Sequence, residues 1–174
     1  GSYRGKRLGT IGEMGAYSLN IFKNITSGDG GLVATNDENL YKHAFALHDQ
    51  GHTPNRMGVE VGKRVILGMN YRMNELTGAV ALAQLRKLDA LLDSLRAKKR
   101  KLKELIADVP DIKFRKLNDP AGDCATICTV IFEDAGKAAR VASALNNTTV
   151  DQSGWHVYAN MEHVTNYFKR MGQP

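Results

Sequence analysis

The stretch that decides the fold runs from residue 15 to residue 33 and reads GAYSLNIFKNITSGDGGLV. Residues 16–19 have the apolar and aromatic character of a short strand, and residues 31–35 form a second apolar segment of strand length. The glycines at 28, 30 and 31 indicate a turn before the second strand. We therefore predict two strands, forming either a hairpin or neighbouring strands of a sheet, with Lys23 on the loop between them.

Helical periodicity follows this strand pair. Asn36 or Asp37 can cap a helix in which apolar residues recur at Leu40, Ala44 and Leu47. The next segment, residues 52–70, lacks periodicity and contains several glycines, and a loop of this length is more often functional than idle.

The longest predicted helix begins after Asn74. Leucines repeat at helical spacing from Leu76 to Leu105, and Pro110 would stop the run. A helix of this length commonly links two domains. We therefore expect an α/β fold whose first domain comprises residues 1–105.

The remainder, residues 106–174, contains little predicted structure. Residues 124–132 alternate as a strand, residues 135–145 form a short amphipathic helix, and residues 148–150 are expected to begin a further strand. The tail beyond residue 151 has no clear periodicity. Two strands and one helix are too little for an independent core, so we expect an incomplete second domain.

Composition narrows the class of protein. The chain is 43% hydrophobic and 24% charged, and nothing approaches the roughly 18 consecutive apolar residues that a membrane span needs. No signal peptide is recognised, and the only cysteines, Cys124 and Cys128, are interpreted as reduced thiols of a cytoplasmic protein. No histidine lies near them in sequence, so no metal site is expected.

The formal charge of +6 raises the alternative of nucleic-acid binding. Much of the excess lies in residues 96–103, RAKKRKLK, which is typical of the solvated face of a helix. No aromatic residues alternate with these cations to stack bases, and no helix-turn-helix or zinc-finger spacing accompanies them. We therefore expect no nucleic-acid partner, since a basic protein also suits an acidic small-molecule substrate.

Lys23 is the candidate for covalent chemistry. A lysine that forms a Schiff base must be neutral to attack an aldehyde, which requires partial burial or nearby positive charge. A serine hydroxyl a few residues earlier, such as that of Ser18, can donate a hydrogen bond to a phosphate on the same cofactor. Spacing alone does not separate this interpretation from an ordinary surface lysine.

Two blocks of sequence resemble the DegT/DnrJ/EryC1/StrS family of sugar aminotransferases. The first comprises residues 5–9 (GKRLG), residues 17–19 (YSL), Lys23 and residues 28–31 (GDGG). The second comprises residues 68–76 (GMNYRMNEL), followed by ALAQLRKLD at 81–89. Two blocks in the family's order make the resemblance specific over about residues 1–105, and it is loose from residue 120 onward.

The resemblance implies a partial fold-type I transferase dependent on pyridoxal 5'-phosphate (PLP). Residues 1–105 would be the later part of the PLP-binding large domain, ending in a long linking helix, and residues 106–174 an incomplete small α+β domain. Lys23 would hold the cofactor covalently and move protons, and Ser18 would bind its phosphate. Asn70 would reach the phosphate of the neighbouring subunit's cofactor, which implies a homodimer.

The implied reaction transfers an amino group from an amino acid, glutamate in our interpretation, to a keto-sugar that is free or nucleotide-linked. Such sugars belong to lipopolysaccharides or antibiotics. In the family, the acidic partner of the pyridinium nitrogen and the ring-stacking residue lie before the stretch that resembles this chain, so we expect the 174 residues alone to be inactive.

Two alternatives to the aminotransferase stay open. The sugar dehydratase branch of the same family has histidine at the lysine position, and Lys23 argues against it. A truncated or degenerate copy would keep the fold without activity. Members of the family often have sugar-contacting residues in the tail beyond residue 151, so Trp155, His156 and His163 are candidates for residues that contact the sugar.

Overall fold

The computed structural model describes residues 1–54, 64–153 and 157–172. Its strands are short and pair in twos. They are β1 (Ser2–Tyr3), β2 (Lys6–Arg7), β3 (Met14–Ser18), β4 (Gly31–Thr35), β5 (Lys113–Phe114) and β6 (Val130–Ile131). The helices are α1 (Glu38–His48), α2 (Glu75–Leu85), α3 (Leu88–Leu105), α4 (Ala135–Ala144) and α5 (Glu162–Arg170). Short 3-10 turns occupy Val150–Gln152 and Tyr158–Asn160.

The chain forms two compact units. The first comprises Gly1–Leu105 with Lys116–Ile127, and the second comprises Ile106–Arg115 with Cys128–Pro174. The predicted division into domains at residues 1–105 and 106–174 stays a prediction. The mixture of helices and short paired strands agrees with the expected α/β class.

The predicted strand pair is present. β3 and β4 run antiparallel, with a register that extends from Met14 opposite Thr35 to Ser18 opposite Gly31. β3 begins two residues earlier than expected and ends at Ser18, because Leu19 turns into the loop. The backbone N–H of Leu19 donates to the Gly30 carbonyl at 2.9 Å, and the Leu19 side chain is buried. The base of the loop that carries Lys23 is therefore closed and fixed.

Helix α1 begins where the sequence predicts. The Asp37 carboxylate accepts hydrogen bonds from the backbone N–H groups of Asn39 at 2.8 Å and Leu40 at 2.9 Å, which satisfies two free donors of the first turn. The helix ends at His48, and Ala46 is fully buried on its inner face.

The prediction of one long helix after Asn74 is wrong, because the structure has two helices there, α2 and α3. Asn74 does cap α2, since its Oδ1 accepts from the Thr77 N–H at 2.9 Å. The last turn of α2 then tightens, with the Lys87 N–H donating to the carbonyl of Gln84 only three residues back. Helix α3 restarts at Leu88 and ends at Leu105, ahead of the expected stop at Pro110.

Two further predictions, both for residues after 120, are wrong. Of the strand expected at 124–132, only β6 is regular, and near the start of that stretch Ala125 adopts a left-handed conformation with φ of 57°, which an extended strand does not accommodate. Residues 148–150 do not begin a strand: Val150 starts a 3-10 turn instead. Helix α5 lies in the tail where no periodicity was recognised.

Two properties of the described residues bear on function. No helix among residues 1–54, 64–153 and 157–172 combines the length and the apolar character needed to cross a bilayer. The same residues contain no cluster of three or more histidine, cysteine, aspartate or glutamate side chains that could hold a metal ion.

Candidate functional site

Lys23 lies on the loop that follows β3. Its backbone N–H donates to the carbonyl of Asn20 at 2.9 Å, and the Asn20 side-chain oxygen accepts from the Phe22 N–H at 3.0 Å. This asparagine-centred turn fixes the backbone just before the lysine. The Lys23 side chain is exposed, and its amine makes no ion pair or hydrogen bond with any residue that the structure describes. The amine is therefore open to an incoming group, but the partial burial that the sequence analysis expects of a Schiff-base lysine is not found around it among the described residues.

Ser18 is the last residue of β3, five positions before Lys23. Its Oγ accepts a hydrogen bond from the Asn20 N–H at 3.3 Å, and the residue is exposed. Since that contact uses only a lone pair of the oxygen, the hydroxyl proton can still be donated. Among the described residues, no acceptor takes this proton.

The other hydroxyls of the same loop are already engaged. Thr26 donates its hydroxyl to the Leu19 carbonyl at 3.1 Å, and the Ser27 hydroxyl donates to the Asp29 carbonyl at 2.7 Å. These bonds hold the loop in shape, so within residues 18–30 it is Ser18 that offers a hydroxyl proton to a ligand.

Asn70 lies on an extended segment beside the C-terminal end of α1. The Met69 N–H donates to Leu47 at 2.7 Å, the Tyr71 N–H donates to His48 at 2.8 Å, and Asp49 and Asn70 form an antiparallel bridge. The Asn70 side-chain oxygen accepts from Arg72 Nε at 3.0 Å. Its amide N–H donors have no acceptor within the described part of the chain.

The structure brings Ser18 and Lys23 together on one loop. It does not join Asn70 to them, because no hydrogen bond between described residues links Asn70 to Ser18 or to Lys23. No hydrogen bond between described residues therefore joins the three predicted residues into one site within one copy of the chain.

A groove of about 780 Å³ lies between β4 and α1. Its walls are mainly apolar and include Leu32, Val33, Leu40, Phe45 and Tyr71. None of Ser18, Lys23 and Asn70 lines it.

The histidines add little chemistry. His48 lines the groove, and its ring contacts the Phe45 ring edge-on at 4.8 Å, which agrees with a packing role. Trp155 and His156, two of the candidates for sugar contacts, lie outside the described residues, as do residues 55–63 of the long loop. His163 lies in the first turn of α5.

The residues present suit a PLP molecule. An aldehyde requires an amine that is not engaged by another group, and no described residue engages the Lys23 amine. A phosphate requires hydrogen-bond donors, since its oxygens only accept. The Ser18 hydroxyl and the Asn70 amide both retain such donors. The donor set therefore matches the two reactive ends of the cofactor.

Sequence reasoning missed one feature of this site. Asp49 is buried at 5% exposure and lies 3.3 Å from Arg72 Nε, next to Asn70. The sequence shows that Arg72 follows Asn70 by two residues, but it does not show that Asp49 lies beside them. Asp49 reaches this position because its segment pairs with that of Asn70.

The chain is similar to known sugar-modifying enzymes. GDP-perosamine synthase from Caulobacter vibrioides is 40% identical over 88 residues, which cover 51% of this chain and 23% of that protein. GDP-perosamine synthase from Escherichia coli O157:H7 is 36% identical over 94 residues, covering 54% of this chain and 25% of that protein. The chain thus matches about a quarter of the length of these relatives.

A solved structure shares the fold over a larger part of the chain. A GDP-4-keto-6-deoxymannose-3-dehydratase with a trapped PLP-glutamate geminal diamine superimposes with a TM-score of 0.72 and 25% identity. The match covers 83% of this chain and 41% of that one. A model of the DegT/DnrJ/EryC1/StrS aminotransferase family matches residues 1–173. The chain therefore belongs to the DegT/DnrJ/EryC1/StrS aminotransferase family.

Proposed function

We propose that the protein containing this chain transfers an amino group from an amino acid, glutamate, to a keto-sugar with the help of PLP. The observation that carries the proposal is the match of the family model to residues 1–173, which places Lys23, five residues after the Ser18 hydroxyl, in the family's motif. Family membership and relatives that are GDP-perosamine synthases support it.

The proposed role of Lys23 has two parts. Its Nζ would hold the aldehyde end of the cofactor covalently, and it would also accept and return a proton at the substrate carbon that bears nitrogen. When bound, PLP supplies an electron sink for the charge that develops at that carbon. The absence of any ion pair to Lys23 among the described residues leaves the amine free for both tasks.

Ser18 and Asn70 would hold the cofactor phosphate. Each keeps a donor that no described residue uses, and a phosphate oxygen is a strong acceptor. Because Asn70 makes no hydrogen bond to the loop of Lys23, we propose that it serves the cofactor of a partner subunit in a homodimer. Phe22 and Ile21 beside Lys23 are 79% and 61% exposed, which suits a surface covered by a partner.

The substrate class follows from the relatives. Their names specify a GDP-linked amino sugar, so we propose a nucleotide-linked keto-sugar as the amino acceptor. We place the reaction in the cytoplasm as part of this proposal, because nucleotide-linked sugars are intracellular metabolites.

A second candidate function is PLP-dependent sugar dehydration. The solved dehydratase that shares the fold favours it. The lysine at position 23 opposes it, since the dehydratase branch that the sequence also resembles has histidine at that position. A degenerate copy without activity is the third candidate, and the test below separates all three.

The test exchanges Lys23 for methionine in the complete enzyme, with Lys98→Met as the matched control. Lys98 is an exposed lysine on α3 without a hydrogen bond or ion pair to any described side chain. We expect Lys23→Met to lower amino transfer from glutamate to a nucleotide-linked keto-sugar by about 10²- to 10⁴-fold, and Lys98→Met to leave it unchanged.

Other results would refute the proposal. Loss of the sugar hydroxyl without gain of nitrogen would identify a dehydratase, and no turnover by the unmodified enzyme would identify a degenerate copy. Full turnover by Lys23→Met would remove the basis for assigning the lysine.

A further inference from the structure

The backbone around Asn70 is fixed by pairing with the end of α1. The N–H groups of Met69 and Tyr71 donate to the last turn of α1, as described above. In addition, the Gln50 N–H donates to the Met69 carbonyl at 2.9 Å, and the Gly51 N–H donates to the Ala46 carbonyl at 2.7 Å. These bonds place the Asn70 backbone against a helix terminus. They leave free the rotation of its side-chain amide.

Arg72 constrains that rotation. Its Nε donates to Asn70 Oδ1 at 3.0 Å and lies 3.3 Å from Asp49 Oδ1 in an ion pair. The Asp49 side chain is 8% exposed, whereas that of Arg72 is 46% exposed. A buried carboxylate thus anchors a guanidinium that contacts the amide from one side.

The chemistry of arginine decides which end of the amide faces it. A guanidinium has only N–H donors, so the amide must present its oxygen to Arg72. The two atoms of a carboxamide that can form hydrogen bonds lie on opposite branches, so the Nδ2 donors point away from Arg72. A phosphate accepts and does not donate, and it requires this orientation.

We infer that Arg72 is a positioning residue, held by Asp49, that turns the Nδ2 donors of Asn70 toward the cofactor phosphate. The inference rests on the proposed function, in which Asn70 binds that phosphate. Without Arg72, the amide can rotate, and binding must then immobilise it. Immobilising one side chain lowers affinity by about threefold to tenfold.

The competing possibility is that Arg72 itself binds the phosphate through its terminal nitrogens. The two cases predict different PLP affinities for a double variant that lacks both Arg72 and the Asn70 amide. If Arg72 acts through Asn70, its removal has no further effect once the Asn70 amide is gone. If Arg72 contacts the phosphate directly, the fold-losses of PLP affinity in the two single variants multiply in the double variant.

The test compares Arg72→Met, Asn70→Ala and the double variant in the complete enzyme. Dissociation constants are measured for PLP and for pyridoxal, which lacks the phosphate. We expect Arg72→Met to weaken PLP binding by about threefold to tenfold, to leave pyridoxal binding unchanged, and to add nothing in the Asn70→Ala background. Arg86→Met is the matched control, because Arg86 is exposed and its side chain has no hydrogen bond within the described residues.

Three results would overturn the inference. They are equal weakening of PLP and pyridoxal, multiplicative losses in the double variant, and unchanged PLP affinity in Arg72→Met. Failure of the proposed function looks different, since the unmodified enzyme would then not attach PLP to Lys23 at all. Borohydride reduction of the unmodified enzyme distinguishes the two failures.

Discussion

Replacing Gly68 with alanine tests the backbone pairing that places Asn70. A Cβ at position 68 would lie 2.3 Å from the Ala46 carbonyl oxygen and 2.3 Å from the Gly51 nitrogen. These two atoms form a hydrogen bond of 2.7 Å with each other. The added methyl group would therefore be forced against both members of a bond that closes the end of α1.

The expected change in the free energy of unfolding is the difference between a loss in the folded state and a smaller gain from the unfolded chain. Overpacking against backbone costs about 1 to 3 kcal/mol, and losing the hydrogen bond costs about 1 kcal/mol where the segments move apart to avoid the clash. Alanine also restricts the unfolded chain, which offsets about 0.4 to 1 kcal/mol. We expect Gly68→Ala to lower the free energy of unfolding by about 1 to 2 kcal/mol, or Tm by about 2 to 8 °C.

Gly78→Ala is the matched control within α2. A Cβ there meets only the Met73 sulfur at 3.9 Å, an ordinary contact, so helix propensity decides the outcome. We expect this variant to gain about 0.5 to 1 kcal/mol. Urea titration followed by far-ultraviolet circular dichroism measures both changes, and hydrogen exchange of the Gly51 amide locates the damage. Equal stability of the two variants, or unchanged protection of that amide in Gly68→Ala, would refute the packing described here.

Three further predictions concern single side chains. Ser18→Ala should weaken PLP binding by about tenfold without affecting pyridoxal, as expected for a lost hydrogen bond to a charged phosphate, and the exposed helical Ser94→Ala should change neither affinity. Asp37→Ala should lower the free energy of unfolding by about 1 kcal/mol in a thermal melt, since two backbone donors of α1 lose their acceptor. Backbone hydrogen bonds from Lys137 and then Gly136 lower the pKa of Asp134 below 3.8. The stabilisation of α4 by Asp134 should therefore be complete above about pH 4 and disappear as the pH falls through the lowered pKa. Hydrogen exchange of the α4 amides should detect this loss, and Asp134→Asn should abolish the acid dependence.

The parts of the fold predicted from sequence are those set by local rules. The caps at Asp37 and Asn74 follow from side chains that reach backbone donors two or three residues away, and the β3–β4 pair follows from two apolar segments around a glycine-rich turn. The break between α2 and α3 has no such signal, because neither proline nor glycine marks Arg86 and Lys87. The left-handed Ala125, which interrupts the expected strand, is likewise atypical of its residue type.

In the candidate site, too, the features set by local sequence could be predicted and those set by long-range pairing could not. Lys23 and Ser18 were identified from a contiguous motif, and the structure adds that their donors are free among the described residues. The orientation of the Asn70 amide was beyond sequence reasoning, because it depends on Asp49, 21 positions away, being brought beside Arg72. Long-range pairing of this kind carries no periodicity that a sequence reveals.

The most direct test of the central claim is borohydride reduction of the complete enzyme in the presence of PLP, followed by peptide mapping. Reduction makes the bond between the cofactor aldehyde and its lysine permanent. We expect one labelled peptide, with the label on Lys23, and no labelling in Lys23→Met. A label on another lysine, or an undiminished label in that variant, would contradict the account.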